Sequence, residues 1–287
     1  MKKREFLVPI ITPFHTDGSV NYAALKKLVR HVLDSGADGI YAGGASSEFV
    51  LLTHEEREKI LEAVIEAADG AYVAAHIGAA STAEAQSLAR HAKKAGADCV
   101  ASVPPFWYSY RYEEIRGYFT AIADASDLPV MIYNIPNASK VRFTKDEFCN
   151  LFSDERLFAV KYTDTDYYQM ERIKTKSGAF IYSGVDECYL SALAAGADGA
   201  IGTTFNFMMQ KYIGIRDAYR KGDNARALQI MTGANNITEA VIQKSCLPAT
   251  KYLLTLQGID AGECRKPFIP LSEAEKDALK CVYENNI

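Results

Sequence analysis

A chain of 287 residues, 48% hydrophobic and 24% charged, can bury roughly 75% of the surface its unfolded form exposes, so it needs neither disulfides nor a structural metal to fold. Its net charge is −4 and no stretch is dense in Lys and Arg, so it lacks the electrostatic footprint of a nucleic-acid binder. Six scattered cysteines (Cys99, Cys149, Cys188, Cys246, Cys264, Cys281) form no C-x-x-C pair, which argues against a zinc ribbon or a thioredoxin-type site. They fit free thiols in a reducing compartment.

At the N-terminus, a basic start leads into a short apolar run interrupted by Pro9 and Pro13. The run is too short for a membrane span and reads as a first buried strand, so the expected location is the cytoplasm. From there, short apolar runs alternate with longer amphipathic stretches. Strands are predicted at 6–11, 39–41, 72–77, 99–103, 130–133, 158–161, 180–183 and 200–202. Helices fit between them, as at 21–35, 53–68, 82–95, 112–125 and 144–152. Three helix starts carry a capping pair: Thr53 with Glu56, Ser81 with Glu84, and Thr144 with Glu147.

The phrase Gly-Ala-Asp recurs at 36–38, 96–98 and 196–198, each time after a helical pattern and before a strand. Glycine suits the left-handed residue that ends a helix, and a short turn then feeds a buried strand. The spacings of 60 and 100 residues correspond to two and four units of about 25–30 residues, in line with roughly 250 residues for eight βα units. Residues 210–287 add helical pattern without a strand, and no linker sets them apart. The expected fold is a (β/α)8 TIM barrel over 1–209, with C-terminal helices over 210–287 packed on it as one structural unit. A doubly wound open sheet is the alternative that the same alternation allows.

The chain has no phosphate-binding glycine loop, no dinucleotide fingerprint and no H-E-x-x-H pair, so neither a nucleotide nor a catalytic metal is supported. Of the five histidines, His31 and His91 sit in helical stretches and read as packing residues, while His76 ends a strand and can line a site.

Barrel enzymes act at the C-terminal ends of their strands, so the residues there are the candidates. Lys161 ends the run Leu157-Phe158-Ala159-Val160. Desolvation at a dry barrel mouth would turn its amine into a nucleophile; alternatively, the side chain snorkels to solvent. Tyr133 ends the preceding strand and is either a proton carrier or a core tyrosine. The turn at 43–48, with Gly44, Ser46 and Ser47, can hold a carboxylate or be simply tight. Asp186 and Glu187, after Gly184, can bind a polyol or be solvated loop charges. Thr163 and Thr203 follow strands six and eight. Phe106-Trp107-Tyr108 form an aromatic loop suited to loop packing or a subunit contact.

In this order, these residues resemble the N-acetylneuraminate lyase and dihydrodipicolinate synthase family over nearly the whole chain. The resemblance rests on Tyr133-Asn134-Ile135-Pro136, on Lys161-x-Thr163 followed by Tyr168-Gln169-Met170-Glu171, on Gly184-Val185-Asp186-Glu187, and on Cys264-Arg265-Lys266-Pro267-Phe268. It implies a Schiff-base lysine at Lys161, a proton-transferring tyrosine at Tyr133 and a 2-keto acid substrate whose carboxylate sits on the 44–47 turn. In the lyase branch it further implies contacts from Asp186 and Glu187 to a polyol tail, and from Gly184, Thr163 and Thr203 to substrate. No cofactor is required, and the family commonly forms homotetramers.

The synthase branch is similar but places an arginine shortly after the Tyr-Asn-x-Pro motif; Asn137-Ala138-Ser139 stands there instead. The sequence also departs from the lyase pattern. Ala45-Ser46-Ser47 replaces two hydroxyl residues and a glycine, so the hydroxyl that the family uses in a relay with the tyrosine is missing. Trp107 replaces a tyrosine, and Val185 a common aromatic or polar residue. These departures bear on the relay and the exact substrate, not on Lys161 or Tyr133. The implied activity is cleavage of N-acetylneuraminate. The rivals are a related pyruvate aldolase, a non-catalytic keto-acid-binding protein and, more remotely, a pyridoxal-phosphate enzyme.

Overall fold

Eight short strands carry side chains that alternate between a barrel interior and a surrounding ring of helices. The computed structural model describes residues 4–287. The strands are β1 (Phe6–Pro9), β2 (Gly39–Ala42), β3 (Tyr72–His76), β4 (Cys99–Ser102), β5 (Val130–Asn134), β6 (Leu157–Tyr162), β7 (Phe180–Ser183) and β8 (Gly199–Ile201). They are all parallel and close in sequence order, β8 pairing with β1. This is the (β/α)8 TIM barrel that the repeated alternation predicts. On β5, Met131 and Tyr133 join the interior cluster while Val130 and Ile132 pack outward under the helices. On β6, Ala159 is inward and Val160 and Tyr162 outward, which puts Lys161 on the inner face.

The helices are α1 (Tyr22–Asp34), α2 (His54–Ala68), α3 (Thr82–Ala95), α4 (Tyr112–Ser126), α5 (Pro136–Ser139), α6 (Lys145–Leu151), α7 (Tyr167–Ser177), α8 (Tyr189–Ala194), α9 (Phe205–Arg220), α10 (Asn224–Gln243), α11 (Cys246–Leu256) and α12 (Glu273–Asn286). Thr53 and Thr144 form the reciprocal capping boxes expected from their spacing. Ser81 accepts from the Glu84 amide, but the Glu84 carboxylate turns toward His54 instead of reaching back. Strand β1 stops at Pro9, short of residue 11, where the Pro9 carbonyl is taken by the Asn206 side-chain amide. The division placed at residue 209 falls inside α9, which is the barrel's eighth helix; the extension proper is α10 to α12. Among the described residues, no helix is long and apolar enough to cross a membrane.

The recurring Gly-Ala-Asp joints lie at the N-terminal end of the barrel. The Asp38 carboxylate accepts from the amides of Glu5 and Phe6 at 2.8 and 2.9 Å, Asp98 from Val73 at 2.8 Å, and Asp198 from Ile181 at 2.9 Å. Each aspartate thus satisfies donors at the start of the strand before its own, where the ladder has no other partner for them. This face serves stability and leaves the opposite end free for chemistry.

Candidate active site

At the C-terminal ends of the strands, Lys161 and Tyr133 face each other in the β5–β6 ladder. Both are buried. Lys161 Nζ lies 4.2 Å from the centre of the Tyr133 ring and 4.8 Å from that of Tyr41. Burial pulls its amine down to about 7, with the Asp186 carboxylate opposing the fall. Burial pushes the Tyr133 phenol above its ordinary range, the neighbouring Thr163 hydroxyl opposing the rise. A partly neutral amine beside a protonated phenol has the chemistry to serve as a nucleophile with a proton carrier next to it.

The turn after β2 is built for close approach. A side chain at Gly44 would strike the Tyr41 ring, its Cβ coming to 2.6 Å. Ala45–Ser47 make one 3₁₀ turn, whose leading amides have no partner inside the turn. Ser46 Oγ is 2.7 Å from Thr203 Oγ1, which joins the turn to the chain after β8. The Ser47 hydroxyl points away from the mouth and donates to the Ile10 carbonyl, while Thr12 donates to the Ser47 carbonyl. Any Ser47 contact to a ligand would therefore have to come from elsewhere than its hydroxyl.

Across the mouth, Asp186 accepts from both the amide and the hydroxyl of Thr204, at 2.8 and 2.7 Å. Burial nevertheless raises its carboxyl to about 6; the Thr204 bonds and Lys161 pull the other way, and Glu187 adds to the rise. Glu187 stands at the exposed rim, with its carbonyl held by Asn235. Gly184 makes room for Thr163, since a Cβ there would overlap Thr163 Oγ1. That hydroxyl, Tyr41 Oη and His76 Nε2 are all buried without a hydrogen-bond partner. Unpaired buried polar atoms are uncommon, and three at one end of a barrel mark where a polar ligand can sit.

A cavity of 440 Å³ opens beside this cluster, reached through Tyr133 and Ala45 and walled by Phe49, Val103, Phe106, Ile135, Leu247 and Phe268. The chain thus brings Lys161, Tyr133, Thr163, Asp186, Ser46 and Thr203 to one mouth. It turns the Ser47 hydroxyl inward, leaves Glu187 on the rim, and gives Gly44 and Gly184 the role of clearances. Of the aromatic loop, Phe106 lines the cavity, while Trp107 (φ +90°) and Tyr108 are exposed. His76 is buried with its Nδ1 2.9 Å from the Gly43 carbonyl and its ring 5.9 Å from that of Tyr133, and it is not among the residues that wall the cavity. Tyr41 and Thr204 were not singled out by sequence. A tyrosine inside an apolar strand looks like core, and Thr204 is the inward neighbour of the threonine that the sequence pointed to.

The Dihydrodipicolinate synthetase family model matches residues 2–285. An N-acetylneuraminate lyase of Salmonella typhimurium is 38% identical over 282 residues, covering 97% of this chain and 95% of the relative. The structure of CdNal from Clostridium difficile in complex with mannosamine superposes with a TM-score of 0.97 at 29% identity, covering all of both chains. A dihydrodipicolinate synthase from Bacillus anthracis superposes with a TM-score of 0.95 at 28% identity, covering 99% of each. Full-length likeness in sequence and in fold, with these strand ends, makes the chain a member of the Dihydrodipicolinate synthetase family.

Proposed function

We propose that the protein is a class I aldolase that cleaves N-acetylneuraminate to pyruvate and N-acetylmannosamine through a Schiff base on Lys161. The observation that carries the reading is the buried Lys161 amine, brought to about 7, in register with Tyr133. The likeness to lyases supports the choice of substrate. The 135–139 segment also favours a lyase over the synthase branch. Its Ala138 and Ser139 line the cavity, and the nearest arginine, Arg142, is exposed and turned to Asn137 and Asp164.

In this reading the neutral Lys161 amine attacks C2 of the open-chain keto acid. Loss of water gives a protonated imine, which serves as electron sink. Tyr133 relays the proton leaving the C4 hydroxyl, the C3–C4 bond breaks, and its electrons move to C3 as an enamine while C4 departs as the aldehyde. Protonation at C3 and hydrolysis release pyruvate and restore the amine. The 44–47 turn orients the carboxylate and lowers the entropic barrier. Asp186 and Glu187 face the polyol tail. The scheme needs no cofactor. Cytoplasmic location and homotetrameric assembly belong to the same proposal.

A second reading, a pyruvate aldolase for another sugar acid or hydroxy-keto acid, draws on the mostly apolar cavity wall and on the methyl group of Ala45 at its edge. The deciding experiment is pyruvate release from N-acetylneuraminate, coupled to lactate dehydrogenase. Release that vanishes in Lys161→Ala supports the lyase; a folded protein that releases none sinks it and turns attention to other keto acids.

A further inference from the structure

The residue after the 3₁₀ turn is the least expected of the group. Glu48 adopts a left-handed conformation, φ 59° and ψ 35°, which a glycine would take without steric conflict. Its side chain is fully buried. A charge in such a place is retained only where its partners are fixed. Here they come from the C-terminal extension. Lys251 Nζ, on α11 and itself 1% exposed, lies 2.8 Å from Glu48 Oε1, and the Arg265 amide donates to Oε2 at 2.8 Å. Lys251 also donates to the Glu263 carbonyl and rests over the Phe14 ring.

Arg265 ties down the chain on either side of α1. Its guanidinium donates to the carbonyls of Leu51 and Gly18 and pairs with Glu56 on α2. At the other end of the turn, His76 Nδ1 sits on the Gly43 carbonyl. In the middle, Ser47 and Thr12 stitch it to the end of β1. None of these anchors uses the leading amides of the turn.

We propose that Glu48 is a positioning residue. By closing on Lys251 and the Arg265 amide, it holds the 44–47 turn in the conformation that receives the keto-acid carboxylate. Lys251 and Arg265, both in the C-terminal extension, are then working parts of the site without touching substrate. The inference rests on the aldolase reading, and its test separates the two.

The test is borohydride trapping of the pyruvate imine, read by mass as a function of pyruvate concentration, in the full chain. Glu48→Gln keeps the shape and removes the charge. It should raise the half-saturating pyruvate concentration at least tenfold while the maximal trapped fraction stays near that of the parent. Lys251→Met should do the same, and Lys251→Arg should restore most of the loss. The KM for the aldehyde partner in the synthetic direction should move less than threefold. A merely structural role predicts the opposite pattern, a smaller trapped fraction at unchanged half-saturation, and that result overturns the proposal. Where Glu48→Gln yields no folded protein, the Lys251 pair decides: equal half-saturation in parent, Met and Arg forms overturns it. Parent protein that traps no pyruvate overturns the aldolase reading itself, and the positioning role with it.

Discussion

Lys161 and Tyr133 are register partners across the β5–β6 ladder, and the amine of one lies over the ring face of the other at 4.2 Å. The ring contact favours the ammonium form by about 0.5–2 kcal/mol. Bringing the amine from its ordinary 10.5 to about 7 corresponds to about 5 kcal/mol in the other direction. Burial therefore decides the protonation state, and the ring orients a nitrogen that is often neutral near pH 7.

Replacing Lys161 by alanine should abolish both turnover and the borohydride adduct with pyruvate. The side chain carries no structural hydrogen bond, so the circular dichroism spectrum should remain that of the parent. A Lys161→Ala protein that still releases pyruvate at the parent rate would remove the covalent mechanism.

For Tyr133→Phe the expected loss is in kcat, about 10²–10⁴-fold, because a positioned proton carrier is removed while the ring remains. Imine formation with pyruvate should survive, since the amine is neutralised by burial and not by the phenol. Single-turnover measurement of C–C cleavage against imine trapping would separate the steps. An unchanged cleavage rate would take Tyr133 out of the scheme.

The pH dependence follows from the Lys161–Asp186 pair. Imine formation should fall away as pH drops through about 7, where Lys161 becomes protonated. Asp186 favours the ammonium, so Asp186→Asn should move this acid limb to lower pH. A limb that stays in place or moves up would show that another group controls it. Stability is linked to the same group. The folded state holds the Lys161 proton less tightly than the unfolded chain, so stability rises with pH between about 7 and 10.5. Lys161→Met should flatten that part of the curve in urea titrations.

The barrel was legible because eight short apolar runs alternate with longer amphipathic stretches, and because Gly-Ala-Asp marks three of the joints. Lys161 and Tyr133 were legible because each closes an apolar run, which places them at strand ends. What lay beyond reach was partnership over distance. Glu48 and Lys251 are about two hundred residues apart and have no pattern in common. Nor does the sequence tell which of two adjacent hydroxyls turns inward. Ser46 faces Thr203 while Ser47 is spent on the Ile10 carbonyl, and Thr204, not Thr203, pins Asp186.

Gly184 tests whether a glycine can act through its missing side chain. Its backbone is in an ordinary region, so Gly184→Ala carries no conformational strain, yet the added Cβ would overlap Thr163 Oγ1. Thr163 must rotate away from Tyr133, at a cost of about 1–3 kcal/mol for overpacking. A lower melting temperature together with a reduced kcat is expected. Full activity would mean that Thr163 has no part in the site.

At the opposite end of the barrel, stability and activity should separate. Asp38 accepts two amide hydrogens from the residues that open β1. Hydrogen bonds to a charged acceptor contribute about 1.5–3 kcal/mol, and truncation leaves two donors at the strand start to be satisfied by water or not at all. Asp38→Ala should therefore lower the unfolding free energy in urea by roughly that amount, with an unchanged m-value. The mouth lies at the far ends of the strands, so kcat and KM of the folded fraction should match the parent. A kinetic change without loss of stability would mean that the two faces are coupled through the strands, contrary to the division of labour that the barrel implies.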